Sequence, residues 1–156
     1  MVYTDLVKKA LNLAYEGHQG IMDKAGVPYI FHPFSVALMM TTEEETVTAL
    51  LHDVVEDTEI TLQDLRTEGF PDEVVKAVAL LTHDEAVPYR DYIVAVSKNE
   101  IARKVKLADL THNLDDDRHT PMTEYLAQKR ENVYRPALRF LKNYKLHPEY
   151  ADDIRG

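Results

Sequence analysis

The stretch Leu51-His-Asp-Val-Val-Glu-Asp-Thr58 sets one imidazole and three carboxylates close together. On a helix, Glu56 follows His52 by one turn and Asp57 follows Asp53 by one turn. His52 and Asp53 are adjacent, so they cannot share one line along a helix, but they can converge on an ion near a helix end. Carboxylates this close repel one another unless a cation neutralises them. A bound divalent metal does that; the alternative is a solvated acidic helix end. A second candidate lies in Lys104 to Asn113, where Asp109 and Asn113 are one turn apart on one face. Val105, Ala108 and Leu110 mark a neighbouring buried face, and a buried aspartate needs a partner, either a metal or plainly Lys106 or an arginine. His32, just before Pro33, is a third candidate, with a cap or a core histidine as the simpler role.

Two histidines and two aspartates make a nitrogen and oxygen donor set with no soft ligand, which suits Mn²⁺, Fe²⁺, Zn²⁺ or a similar cation. The chemistry would be hydrolysis by activated water, with Glu56 or Asp57 near enough to hold or take its proton. Lys24, Tyr29, Tyr89, Arg90 and Tyr92 fall in or beside loops, and such a set can stack a base and hold phosphates. His18, His83, His112, His119 and His147 have no role assigned from the sequence.

The elements that must position these groups read as helices. Leu6, Ala10, Leu13 and Ala14 predict a helix from Thr4 to about Glu16. Gly26 and Pro28 make Ile21 to Tyr29 a loop. Pro33 suits the first turn of a helix running to about Met40. Glu43 to about Val55 reads as one continuous helix with Val47, Leu50, Leu51 and Val54 as its core stripe, and its acidic first turn complements the helix dipole. Thr61 caps a short helix ending at Gly69. Pro71 opens another with Val74, Val75, Val78 and Leu81 inward, and Pro88 starts the next, to about Ser97. Glu100 to Leu114 follows, with Ile101, Val105 and Ala108 on a common side. The last long helix starts near Thr123, and Pro136 inside it should kink or split it. From Pro148 onward the chain is short and polar and is expected to fray. Strand alternation is weak and no repeat is visible, so the fold class is all-α: a single domain over 1–156, a bundle of eight or nine helices.

The chain has 156 residues, no cysteine, 45% hydrophobic residues and a formal net charge of −9. The absence of cysteine excludes disulfides, thiolate metal sites and a cysteine nucleophile, and fits a cytoplasmic protein. The negative charge disfavours polymeric nucleic acid and anionic membranes as partners. Apolar runs such as Ala77 to Leu81 fall far short of the ~20 residues of a spanning helix, and Asp5, Lys8 and Lys9 interrupt any signal-peptide core.

Three segments, taken in order, resemble a known family. His52-Asp53 followed by Glu56-Asp57-Thr58 is similar to the HD-domain phosphohydrolases, in particular the hydrolase domain of RelA/SpoT homologues. Lys24-Ala-Gly-Val-Pro-Tyr-Ile-Phe-His-Pro33 resembles that family's Arg-Lys-x-Gly-x-Pro-Tyr-x-x-His-Pro segment, and Val105-Lys-Leu-Ala-Asp-Leu-Thr-His-Asn113 its Val-Lys-Leu-Ala-Asp-Arg-x-His-Asn segment. The match spans about His18 to Asn113, and the short length resembles a stand-alone small alarmone hydrolase. The resemblance implies an HD-type helical fold with Mn²⁺, or another divalent cation, held by His32, His52, Asp53 and Asp109. It implies that Glu56 and Asp57 assist water attack and that Lys24 and Asn113 contact a small phosphorylated nucleotide. The implied reaction removes the 3′-pyrophosphate of (p)ppGpp, giving GDP or GTP and pyrophosphate. The alternatives are hydrolysis of another nucleotide or phosphoester, or a metal-binding sensor module without catalysis. Asp23 and Leu110 stand where the family has arginines, and the change at 23 is expected to weaken contact with a guanine base. The synthetase, regulatory and tRNA-sensing parts of long family members have no room here, so alarmone synthesis is not expected.

Overall fold

The computed structural model describes residues 1–118 and 121–156. The helices are α1 (Asp5–Gly17), α2 (Phe31–Leu38), α3 (Glu43–Leu51), α4 (Val54–Asp57), α5 (Leu62–Thr67), α6 (Asp72–Leu81), α7 (Tyr89–Ser97), α8 (Glu100–Asn113), α9 (Glu124–Lys129) and α10 (Arg135–Asn143). A π-helical turn, Arg130–Tyr134, joins α9 to α10 in one rod, so the all-α bundle has nine rods among the described residues. The only pairing of extended backbone among them is an isolated bridge between Met22 and Pro28. Among the described residues, no helix is long and apolar enough to cross a membrane.

Helices α3 and α8 pack on each other at the centre; α1, α2 and α6 close around α3, while α2, α6, α7 and α10 close around α8. The stripe expected on α3 is the core: Val47, Leu50, Leu51 and, beyond it, Val54 are fully buried. Truncating such a leucine to alanine typically costs about 2–5 kcal/mol. The start of α3 is fixed twice. Thr42 and Glu45 form a capping box, and the buried Glu45 carboxylate also takes Lys104 Nζ of α8 at 2.6 Å. At α5, Thr61 caps Asp64 N–H as its sequence suggests, and Gly69 ends the turn at φ +82°.

Two expectations fail, each for a local reason. The helix over Glu43–Val55 is not continuous: it stops after Leu51 and restarts at Val54. His52 Nδ1 bonds the Ala49 carbonyl at 2.7 Å, which is the acceptor Asp53 N–H would need for the helix to run on. The side chain thus competes with the helix ladder. The segment after Pro148 does not fray. It forms a 3₁₀ stretch, Pro148–Asp153, packed on α7 and α10, with Ala151 and Ile154 buried. Residues three apart eclipse in a 3₁₀ helix, so those two apolar side chains face the bundle together. Pro136 behaves as expected, with the π turn immediately before it.

Candidate metal centre

The interruption between α3 and α4 turns His52, Asp53, Glu56 and Asp57 toward a group of polar residues from α2 and α8. His32, in the first turn of α2, is 3% exposed. Its Nε2 lies 3.1 Å from Asp109 Oδ1 and 3.6 Å from Asp53 Oδ2. His52 Nε2 lies 3.0 Å from Asp53 Oδ2 and 3.9 Å from Asp109 Oδ1. One donor atom each from His32, His52 and Asp109 falls within 4.8 Å of the others, and Asp53 adjoins both imidazoles. The four residues named from the sequence as metal ligands are therefore neighbours.

The surroundings aim these donors. His52 Nδ1 is held by Ala49 O, and His32 Nδ1 by His112 Nδ1 at 2.7 Å. Both rings therefore present Nε2 to the centre, as happens when a partner on the other ring nitrogen fixes the orientation of a metal-binding histidine. Tyr29 donates its hydroxyl to Asp53 Oδ2 at 2.6 Å. On Asp109, Oδ1 accepts from Asn113 Nδ2 at 2.7 Å and Oδ2 from Lys106 Nζ at 2.8 Å. Buried His52 Nε2 has no hydrogen-bond partner among the described residues. An orphaned imidazole nitrogen facing two aspartates in a set without sulfur fits a divalent cation.

Without a cation the charges compensate one another. Burial lowers the His52 pKa, but Asp53 and Asp109 outweigh it and lift it to about 9. Burial opposes ionisation of Asp53 and Asp109 as well. The adjoining histidines, and for Asp109 chiefly Lys106, still hold both well below the usual carboxylate range. Beside them, burial raises Asp57, reinforced by Asp53 and Glu56, to about 6. Burial also raises Glu56, whose carboxylate accepts the backbone N–H of His83.

His32, Asp53, Glu56, Asp57 and Asp109 line a cavity of about 1020 Å³, walled also by Tyr89, Tyr92, Tyr125 and Tyr134, with His52 buried behind it. Lys24 and Asn113 line it, Lys24 with Nζ 5.1 Å over the Tyr125 ring. Asn113 spends its amide on Asp109 and accepts from Arg118 with its oxygen. Of the loop-side aromatic and cationic set, Tyr29, Tyr89 and Tyr92 reach the cavity. Arg90 does not: it pairs with Asp91 and Asp152 on the surface. Leu110 is fully buried in the core, so its departure from the family pattern does not touch the cavity.

Sequence reading missed several functional groups. Its plain partner for Asp109, Lys106, is present together with His32 rather than instead of it. His112 braces His32, and buried His18 sits under Tyr29 with ring centroids 5.1 Å apart. His83 meets Glu56 through its backbone, while His119 lies outside the described residues. The signal for His112 was its place one residue before Asn113 in the third segment; for His18 and His83 there was none.

Comparison with known proteins bears on the family and the fold. The family model described as HD domain matches residues 10–99. A protein named GTP pyrophosphokinase from Myxococcus xanthus is 35% identical over 152 residues, covering 85% of this chain and 20% of that protein. A guanosine-3′,5′-bis(diphosphate) 3′-pyrophosphohydrolase from Aquifex aeolicus is 32% identical over 124 residues, covering 72% of this chain and 18% of that one. The chain thus spans about a fifth of the length of the curated relatives it matches. A solved structure, described as a metazoan ortholog of SpoT that hydrolyzes ppGpp, superposes with a TM-score of 0.68 at 25% identity, over 94% of this chain and 98% of that one. With the family model covering more than half of its residues, the chain belongs to the HD domain family.

Proposed function

We propose that this chain is a metal-dependent hydrolase that removes the 3′-pyrophosphate of (p)ppGpp, yielding GDP or GTP and pyrophosphate, with Mn²⁺ as the cation and the cytoplasm as its location. The observation that carries the reading is the convergence of His32, His52, Asp53 and Asp109, with His52 buried behind a cavity that His32, Asp53, Asp109, Glu56 and Asp57 line. The names of the relatives point both to a pyrophosphokinase and to a pyrophosphohydrolase. The buried nitrogen and oxygen donor set beside two carboxylates of raised pKa favours hydrolysis.

A divalent cation bound by His32, His52, Asp53 and Asp109 would acidify water and neutralise charge on the phosphate oxygens. Asp57, with a pKa near 6, is ionised at neutral pH yet basic enough to accept a proton from the attacking water. Glu56, held by His83 N–H, orients that water. Water adds to the phosphorus attached to the 3′ oxygen, the P–O3′ bond breaks, and the proton Asp57 takes balances the one the leaving oxygen gains. Lys24 and Asn113 contact the nucleotide, and the tyrosines along the cavity offer faces for its base.

The test is incubation of metal-free protein with ppGpp, with and without Mn²⁺, followed by quantification of GDP and pyrophosphate. Mn²⁺-dependent release of both in equal amounts is expected. No release from protein that binds Mn²⁺ would overturn the substrate assignment. It would favour hydrolysis of another phosphorylated nucleotide, the reading to which Asp23, a carboxylate at the cavity in place of an arginine, lends support.

A further inference from the structure

The acidic groups of the cavity account for one end of a doubly phosphorylated ligand; the wall formed by α9, the π turn and the segment after α10 has the opposite character. Five basic residues line the cavity: Lys24, Lys106, Arg118, Lys129 and Arg155. Lys106 is committed to Asp109 and Arg118 to Asn113. Neither Lys129 nor Arg155 makes an ion pair among the described residues. Lys129 Nζ rests against the Tyr134 ring, 5.4 Å from its centroid. Lys129 and Arg155 therefore both reach the cavity with their charge not committed to a carboxylate. Asp23 and Glu85, on the flanking loops, line the same cavity without pairing to either.

A device in the fold brings Arg155 there. Pro136 has no N–H, so the carbonyl four residues before it, on Asn132, lacks its helical donor. That carbonyl accepts Arg155 N–H at 2.9 Å. Ile154, buried beside it, anchors the segment. The backbone of Arg155 is thereby tied to the helix three residues beyond Lys129, and both residues line the cavity.

We propose that Lys129 and Arg155 form a second anion subsite that binds the 5′-phosphates of the nucleotide, so that the chain selects nucleosides phosphorylated at both the 3′ and 5′ positions. The inference rests on the hydrolase reading above and adds to it the residues that recognise the arm away from the metal. Lysine supplies a point charge and arginine a planar fork, a pairing suited to a phosphate chain.

Guanosine 3′-diphosphate, which lacks 5′-phosphates, and ppGpp are compared as substrates of the Mn²⁺-loaded protein, its K129Q and R155Q variants and R155K. Charge-assisted hydrogen bonds of this kind are worth about tenfold or more in affinity. The wild-type KM is therefore expected to be about tenfold or more lower for ppGpp; K129Q and R155Q narrow that gap, and R155K restores part of it. Equal KM values for the two nucleotides in the wild type, or a gap unchanged in both variants, would overturn the subsite. If neither nucleotide is hydrolysed, the hydrolase reading fails and the subsite is judged by binding alone. Calorimetric titration of the EDTA-treated protein with inorganic pyrophosphate then decides. Binding by the wild type that the K129Q/R155Q double variant loses, with its circular dichroism unchanged, supports the subsite. No binding, or equal binding by both, overturns it.

Discussion

Two walls of the cavity are built on interrupted helices, and they are interrupted to opposite ends. Between α3 and α4, His52 takes a backbone acceptor and delivers an imidazole and three carboxylates from one short stretch. Between α9 and α10, Pro136 leaves a carbonyl open, and that carbonyl draws in a distant segment carrying a cation. The first wall is over-determined around the buried His32, His52 and Asp109: Ala49 O, His112, Tyr29, Lys106 and Asn113 each hold one member of the set. The second is open, with Arg155 exposed and Lys129 half-buried. The difference follows from what each wall has to hold. Like charges around an ion are tolerated only in fixed geometry, whereas two cations facing solvent cost little until an anion arrives.

The comparison breaks most visibly at Asp53, the residue both histidines and Tyr29 share. Asp53→Ala is expected to weaken Mn²⁺ binding by more than about a hundredfold and to abolish turnover, since even an outer-shell partner costs about 10–100-fold. Calorimetric metal titration beside circular dichroism checks it. A folded variant with native affinity would show that the four residues are not one ligand set. Asp57→Asn should leave metal binding nearly intact and lower kcat by about 10²–10⁴. Because Asp57 titrates near 6 and acts as the base, the wild-type rate should rise with pH through that value and level off above it. The asparagine variant should lack that limb. Stability should move the other way. A carboxyl whose folded pKa is raised favours the protonated form, so the fold carries a penalty above pH 6 that is absent below the unfolded value near 3.8. After discounting for solvent screening at this exposed group, relieving it is worth about 1 kcal/mol at pH 7. Thermal melts of wild type and variant at pH 7 and pH 4 test the sign: the variant gains at pH 7 only.

The acidic wall was legible because its chemistry is local. His52, Asp53, Glu56 and Asp57 lie within six residues, and the spacing of Asp109 and Asn113 states their common face. Most helix boundaries were legible too, since Thr61, Pro71 and Pro88 carry their signals in single residues. The break at His52 was not, because it depends on a side chain outcompeting the backbone, and hydrophobic periodicity runs through it undisturbed from Val47 to Val54. The basic wall was illegible for a different reason. Pro136 announced a distortion, but nothing in the sequence says that the freed carbonyl of Asn132 meets Arg155, or that Ala151 and Ile154 are spaced to dock. Lys106 was read as a competitor of the metal for Asp109, whereas a carboxylate has two oxygens: Oδ2 takes Lys106 while Oδ1 faces His32.

Smaller effects sharpen the same contrast. Tyr29→Phe removes the hydroxyl that orients Asp53 but leaves every donor in place. It should weaken Mn²⁺ binding by about tenfold, a step between the loss of a ligand and no change. Affinity equal to wild type would mean that His52 and His32 alone fix the aspartate.

The smallest expected effect is at Asp23, where the choice of substitution matters. Its Oδ1 accepts the N–H groups of Ala25 and Val27, each at 2.9 Å, and so shapes the loop that carries Lys24. Gly26, at φ +79°, completes that turn. Asp23→Arg would add a cation and remove both bonds, so its two consequences would be confounded. Asp23→Asn keeps an oxygen able to accept both N–H groups while removing one negative charge from a cavity meant for an anion. Exposed single charges are worth a few tenths of a kcal/mol to about 1 kcal/mol. The expected result is a KM for ppGpp lower by about twofold to fivefold at low salt, shrinking as salt rises. An unchanged KM at low salt would place the nucleotide's phosphates away from the loop and leave the α9–α10 wall as the cavity's main source of attraction for them. A raised KM would mean that the carboxylate itself is used, as an acceptor for a donor on the base.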